Sequence, residues 1–313
     1  MDTKLRLLRA AIQGTDRLAP DLARRWAQRL FVTPPRHAPT AAERAVLAEA
    51  RPFRFRSGTL SLQAWRWGEG PAVILVHGWG GRGGQLHPFV APLRAAGFAV
   101  LALDGPGHGQ SEGRTATVPR FAEALLDLAA QEGPFHGLLG HSFGGATSAF
   151  ALSRGIGAAR AVVIAAPESP EIFYRELLGA LGFQEGRQDR FLRALERDFG
   201  VRFEDVRTPA LAPDFRTPGL VIHDAGDKEV PFAHGQALAA AWPGARFIAT
   251  TGLGHRRILK DPAVIAESVA FLKEGAPTAT GPLAAGLGEG ASGLEWHLLR
   301  RDLRPLPASQ PVG

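Results

Sequence analysis

Residues 140–144 read Gly-His-Ser-Phe-Gly, a G-x-S-x-G between an apolar run at 135–140 with the look of a strand and a helical pattern at 143–153. A serine on a sharp strand-to-helix turn projects its hydroxyl clear of the backbone, but side chains two residues away on either side would collide with the neighbouring chain, and glycine removes that collision. The helix that follows aims backbone N–H groups and a positive dipole end at any oxygen that gains charge nearby. A serine hydroxyl is a weak nucleophile until a base takes its proton. A histidine and an orienting carboxylate are therefore expected later in the chain.

Four histidines follow Ser142: His223, His234, His255 and His297. His255 lies in TTGLGHRR, a glycine-rich loop after an apolar run at 245–250 and before the last core helix, where a catalytic base is needed. His223 falls at a strand end, His234 at a helix start and His297 in a C-terminal tract, and core or surface roles suit those three better. For the acid, HDAGDKEVP follows the strand-like run at 218–222 and offers Asp224, Asp227 and Glu229. Asp227, three residues before Val230-Pro231, is the first choice and Asp224 the main rival. Ser142, Asp227 and His255 are then separated by 85 and 28 residues. Each alone reads as a turn or cap residue; in this order, each behind a strand, they read as nucleophile, orienting acid and base.

A second glycine cluster opens another reading. In VILVHGWGGRGG (73–84), Gly78, Gly80 and Gly83 spell G-x-G-x-x-G after a strand-like run, and Asp104 stands 21 residues beyond Gly83. That is near the dinucleotide fingerprint. Pro88 argues against it, because a helix begun within the glycines would hold that proline in its interior at a cost of about 3 kcal/mol. No Gly-Lys-Ser or Gly-Lys-Thr and no H-E-x-x-H is present, so no cofactor and no metal is expected.

The elements that must carry these residues alternate. A hairpin pattern occupies 53–56 and 60–67 around Ser57-Gly58, and strand-like runs follow near 72–76, 98–103, 135–140, 160–165, 218–222 and 245–250. Helical patterns lie between most of them, near 86–96, 118–131, 143–153, 233–241 and 261–273. Such alternation, with strands apolar on both faces, predicts an α/β fold with a mainly parallel central sheet and helices on both faces. The interval 168–216 breaks the rhythm with two helical stretches, 170–182 and 187–199, and is too long for an ordinary connection; a small helical insertion over the sheet is expected there.

The flanks differ from this core. Residues 1–36 hold eight basic and three acidic residues, hence +5 of the total +6, so the charge is no nucleic-acid footprint spread over the fold and no nucleic acid is expected. This segment reads as two short helices within a basic N-terminal extension (1–52), one carrying Leu5, Leu8 and Ile12, the other opening at Pro20 with Leu22, Trp26 and Leu30. Such helices could lie on an anionic membrane surface, but packing back on their own domain is the commoner arrangement. TPPRHAPT (33–40) reads as a linker. Residues 274–313, rich in Gly, Ala and Pro, read as a mobile tail. With 45% hydrophobic residues the 313-residue chain can bury a sizeable core. Cysteine is absent, which excludes disulfides and a thiolate nucleophile. Without a long apolar run or a secretory signal, a cytoplasmic protein is the default.

Four motifs together carry a resemblance: HGWGG at 77–81, DGPGHGQS at 104–111, GHSFGG at 140–145, and DKEVP with GLGH around Asp227 and His255. Over about 53–273 the chain resembles an α/β-hydrolase of the serine esterase, lipase and peroxidase-like branch. The resemblance implies that Trp79 and Phe143 lend their backbone N–H groups to an oxyanion hole, that the insertion at 168–216 is a cap whose apolar residues line an entrance, and that the substrate is a small ester with an apolar acyl or aromatic group. It also makes Asp104 part of a loop motif, with no ribose needed to explain it. Hydrolysis of a carboxylic ester through an acyl-enzyme is the expected reaction. The alternatives are the same triad acting on a thioester or carbon–carbon bond or transferring the acyl group, and a non-catalytic binding protein on the same fold.

Overall fold

The computed structural model describes residues 3–275, so all but the first two residues of the expected tail at 274–313 lie outside the described part. Three helices precede the sheet: α1 (Thr3–Leu18), α2 (Pro20–Val32) and α3 (Ala41–Ala48). The hairpin follows as β1 (Arg51–Ser57) and β2 (Leu60–Trp67). Strands and helices then alternate through β3 (Ala72–Val76), α4 (Val90–Ala95), β4 (Ala99–Leu103), α5 (Val118–Glu132), β5 (Phe135–His141), α6 (Phe143–Ser153) and β6 (Ala158–Ile164). Helices α7 (Glu171–Ala180), α8 (Glu185–Phe199) and the single turn α9 (Thr208–Leu211) intervene before β7 (Gly219–Asp224). The chain continues with α10 (Phe232–Ala241), β8 (Arg246–Thr250), the turn α11 (Gly254–Arg257) and α12 (Pro262–Lys273).

The eight strands form one sheet in the order β1-β2-β4-β3-β5-β6-β7-β8. β1 pairs with β2 and β2 with β4 antiparallel; every other neighbour is parallel. Alternate side chains of the central strands serve opposite faces, as period-two geometry requires. Ile74, Val76, Leu101 and Leu103 meet Phe121, Leu125 and Phe150 of α5 and α6 on one side, while Val73, Leu75, Val100 and Ala102 meet Leu93 of α4 and Phe271 of α12 on the other. This two-sided burial explains why the strands read as unbroken apolar runs. The register aligns the strand ends, with Val76 opposite Gly140, His141 opposite Ile164, Ile164 opposite Ile222, and Asp224 opposite Thr250. Chain order reverses beside β3, so the loops after β3, β5, β7 and β8 gather at one edge, the usual place for a site in such a sheet.

Helix α3 has no counterpart in the sequence reading, although its start is signalled: Thr40 accepts the Glu43 N–H and Glu43 accepts the Thr40 N–H at 2.6 Å, a reciprocal cap. The larger departure concerns α7 and α8. Tyr174, Leu178, Phe191 and Leu195, expected at an entrance, are buried in a third core with Ile12, Ala23, Ala27 and Val32 of α1 and α2. The physical reason is that a short amphipathic helix is not stable alone and must cover its apolar stripe. Arg24 pairs with Asp198 and Arg187 with Asp16 across the same interface. The segment 33–40 has no regular structure but is firmly held: the Ala116 N–H donates to Val32 O at 2.8 Å, and the Arg36 guanidinium donates to the carbonyls of Gly109, Ser111 and Gly113.

Leu178, fully buried in that third core, reports on the coupling. Leu178→Ala should cost about 2–5 kcal/mol of local stability. Hydrogen exchange should rise in α1 and α2 as well as in α7 and α8, with β3 and β5 unchanged; α1 and α2 exchanging as in the native chain would show that they do not depend on this core.

Candidate active site

Ser142 follows β5 directly with φ 55° and ψ −123°, a backbone conformation that costs a residue with a side chain about 1–3 kcal/mol. Its neighbours hold it there. The Ser142 N–H donates to Ile164 O at 2.9 Å, and Ser142 O accepts the N–H groups of Gly145 and Ala146 as α6 begins. A Cβ at Gly140 would stand 2.5 Å from Gly144 O, and one at Gly144 would stand 2.5 Å from His77 O. Both glycines of the G-x-S-x-G are thus required by close backbone approach. Phe143 is the first residue of α6, and a first helical N–H has no intrahelical acceptor.

His255 stands in the turn α11, not in an open loop, and its side chain is 8% exposed. Its Nδ1 lies 2.8 Å from Asp227 Oδ2, so Nδ1 carries the proton and Nε2 is left as an acceptor. The ring packs 4.7 Å from that of His141, the residue before Ser142, and His141 Nε2–H donates to His255 O at 2.9 Å. This contact of His141 was missed by sequence reasoning, though the residue sits inside the pentapeptide that drew attention.

The two rival carboxylates are separated by their partners. Asp224 accepts from Gly226 N–H, Thr250 Oγ1–H and Leu253 N–H, each at 2.9 Å, and so ties the end of β7 to the loop after β8. Asp227 alone reaches His255. Its side chain is fully buried, and it also accepts the N–H groups of Glu229 at 2.8 Å and Val230 at 2.9 Å. Burial pushes the Asp227 carboxyl up, but hydrogen bonds from His223, His255 and Val230 outweigh it and hold the group far below the ordinary carboxylate range. Asp227 therefore stays an anion. His223 is fully buried, with Nε2 3.0 Å from Val230 O and 3.5 Å from Asp227 Oδ2, so it braces the acid's turn. His234 lies apart, accepting the Glu168 N–H. His297 is outside the described residues.

The glycine loop after β3 lies against Ser142: a Cβ at Gly78 would stand 3.3 Å from Ser142 Cβ. Its amides are mostly engaged. Gly78 N–H donates to Gln85 Oε1 at 2.7 Å, Gly80 N–H to His108 Nε2 at 3.2 Å, Gly81 N–H to Gly78 O at 2.9 Å and Gly83 N–H to Asp104 Oδ1 at 2.7 Å. A phosphate cradle needs free N–H groups, and here they serve the protein itself. Asp104 also accepts the Gln110 N–H at 2.6 Å, which joins the 104–111 loop to this one and accounts for its place without a ribose. His77 and His108 act as neutral acceptors. His77 Nε2 accepts the Gly105 N–H at 2.9 Å while Nδ1–H donates to Gly78 O at 2.8 Å, and His108 Nδ1–H donates to Pro106 O at 3.0 Å. Burial, with His108 close by, drives His77 well below its ordinary value; burial takes His108 down to about 4.

The flanks of the loop are aromatic and braced. Trp79 is 38% exposed, and its ring meets those of Phe143 at 5.2 Å and His108 at 5.7 Å, both edge to face. Arg82 bonds to the buried Glu43 of α3, and the Pro35 ring lies so near Gly80 that a Cβ there would stand 3.0 Å from it. Burial pushes the Glu43 carboxyl up, but the Thr40 N–H and Arg82 bring it below its ordinary value. Among the described residues no group of three or more His, Asp or Glu could hold a metal ion.

Comparison with known proteins agrees with this arrangement at the level of fold and reaction class. The model of a family described as "Alpha/beta hydrolase family" matches residues 73–268. A pimeloyl-[acyl-carrier protein] methyl ester esterase of Xanthomonas oryzae pv. oryzae is 28% identical over 244 residues, covering 64% of this chain and 94% of that protein. One of the same description from Chromobacterium violaceum is 42% identical over 80 residues, covering 25% of this chain and only 30% of its relative's length. Among solved structures, a bromoperoxidase from Bacillus anthracis (18% identical, TM-score 0.56, covering 72% of this chain and 100% of its own) and an esterase from Exiguobacterium antarcticum (16%, 0.55, 70% and 98%) share the fold.

Two outcomes follow from the site's physics. Ser142→Gly should raise stability by about 1 kcal/mol, because strain relief exceeds the entropy of an added glycine; a destabilised variant by urea titration would contradict the strain. Burial, with His255 close by, also takes His141 down to about 3, so His77, His108 and His141 all refuse protons that the unfolded chain accepts below about 6.5. Stability should therefore fall as pH is lowered from about 6.5 toward about 4, where the His108 value lies. A urea midpoint that stays level across this window would contradict the neutral assignments.

Proposed function

The chain belongs to the alpha/beta hydrolase family, and on that premise we propose that it hydrolyses carboxylic esters through an acyl-enzyme formed on Ser142. The observation that carries the proposal is the 2.8 Å hydrogen bond between Asp227 and His255, which leaves His255 Nε2 free to act as a base, with the ring packed on His141, the residue before the strained serine. Relatives named as methyl ester esterases support the choice of bond.

His255 Nε2 takes the proton of Ser142 as Oγ attacks the ester carbonyl. Asp227 fixes the imidazole tautomer and stabilises the imidazolium. The carbonyl oxygen, now an anion, is held by the N–H groups of Phe143, at the start of α6, and Trp79, whose flanking amides are engaged by Gln85 and His108. The proton then passes from His255 to the departing alkoxide, which leaves as an alcohol. Water, activated in turn by His255, attacks the acyl-enzyme; the serine regains its proton and the carboxylic acid is released. The rings of Trp79 and Phe143 stand beside these amides and favour a substrate with an apolar acyl or aromatic group.

Ser142→Ala should lower hydrolysis of p-nitrophenyl butyrate by at least about a thousandfold and abolish labelling by a fluorophosphonate probe. Asp227→Asn should cost on the order of ten-thousandfold in kcat through the wrong imidazole tautomer. Wild-type turnover in either variant would remove that residue from the mechanism, and failure of the unaltered protein to label at Ser142 would favour a binding role.

A further inference from the structure

Six of the seven large apolar side chains that stand exposed among the described residues lie on α1 and α2: Leu7, Leu8, Leu18, Leu22, Trp26 and Leu30; the seventh is Trp79. Concentration on two adjoining helices is not the scatter expected of an ordinary surface. On α2 the pattern is sharp. Ala23 and Ala27 face inward against α7 and α8, so the small side chains lie at the close helix contact. Leu22, Trp26 and Leu30, at i, i+4 and i+8, form a ridge pointing away from it, 44%, 41% and 42% exposed. A helix that merely capped the domain would turn polar residues outward here.

Beside this ridge runs a second one. Arg25 and Arg29 are both exposed, one turn apart, and neither makes an ion pair or a hydrogen bond among the described residues. Arg190, Arg193 and Arg197 of the adjoining α8 are likewise exposed and unpaired, while Arg24 and Arg187 are neutralised by Asp198 and Asp16 within the fold. The segment 1–36 carries +5 against +1 for the remainder of the chain. No helix among the described residues is long and apolar enough to cross a membrane, so an apolar ridge lined by arginines suits a helix that lies on one.

We propose that α2 docks on an anionic phospholipid surface, with Leu22, Trp26 and Leu30 entering the boundary between headgroups and acyl chains and Arg25 and Arg29 meeting the phosphates. Tryptophan favours that depth, and each arginine near such a surface adds attraction. Charge complementarity selects this occupant, since a second copy of the chain would set a like-charged ridge against this one. The docked helix would stand next to the reaction site, because the segment leaving α2 packs Pro35 on Gly80, beside Trp79, and bonds Arg36 to the 109–113 loop. An apolar ester dissolved in the lipid would then meet the serine without crossing bulk water. The docking itself does not depend on the reaction assigned to Ser142.

Flotation of the full-length protein with vesicles tests this. The protein should float with phosphatidylcholine vesicles containing phosphatidylglycerol, bind phosphatidylcholine alone more weakly, and release as salt is raised. Combined Leu22→Ser, Trp26→Ser and Leu30→Ser should weaken binding at least about tenfold, and Arg25→Glu with Arg29→Glu should abolish the preference for the anionic lipid. Both variants should keep native turnover of water-soluble p-nitrophenyl acetate, which shows that they are folded. Ser142→Ala should float like the native chain, so loss of the hydrolase reading and loss of this one give different results. The proposal is overturned if the native protein stays in the soluble fraction, if the triple variant floats equally well, or if light scattering finds a native dimer that the triple variant dissolves.

Discussion

The turn at Ser142 rests on a steric bargain between β5 and α6. The backbone enters a region that side chains disfavour, and it stays there because Ile164 O fixes the Ser142 N–H while Gly140 and Gly144 let the turn close against each other and against the carbonyl of His77. Everything else in the site is referred to that fixed point. The start of α6 sets the Phe143 amide, the loop after β3 abuts the serine through Gly78, and His141 carries the position of the turn to His255 through a 2.9 Å hydrogen bond. Strain of this kind persists only where the surroundings over-determine it, and the aligned ends of β3, β5, β6 and β7 supply that.

Around this point the protein uses uncharged imidazoles as scaffolding. His77 and His108 each accept one backbone N–H and donate to one carbonyl, a pairing open only to the neutral ring. Burial keeps both rings neutral near pH 7, so the hydrogen bonds that shape the loop bearing Trp79 are kept there. Asp227 is the opposite case, a buried group kept charged by the donors aimed at it.

Much of this was legible before any coordinates. The strands are apolar on both faces, so their runs were unmistakable, and Ser142 was marked by glycines at the two positions where a side chain would collide. The choice between Asp224 and Asp227 was not decidable in the same way, because two carboxylates three residues apart both follow a strand and only the course of the turn sends one to Thr250 and Leu253 and the other to His255. The roles of His108 and Gln85 were hidden for a like reason: they depend on loops that meet in space. The insertion at 168–216 is helical as expected, and the difference lies in what its apolar residues touch. Periodicity tells which side chains share a face and not what covers them, and here α1 and α2 cover them.

The family match begins at residue 73, yet the physical unit begins earlier. Glu43 grips Arg82 within the glycine loop, Pro35 lies on Gly80, and Arg36 gathers three carbonyls of the loop that Asp104 anchors. The segment from α2 to α3 thus behaves as a clasp on the two loops beside Ser142. Part of the task of holding the glycine loop and the 104–113 loop in shape therefore falls to residues that lie before the family match.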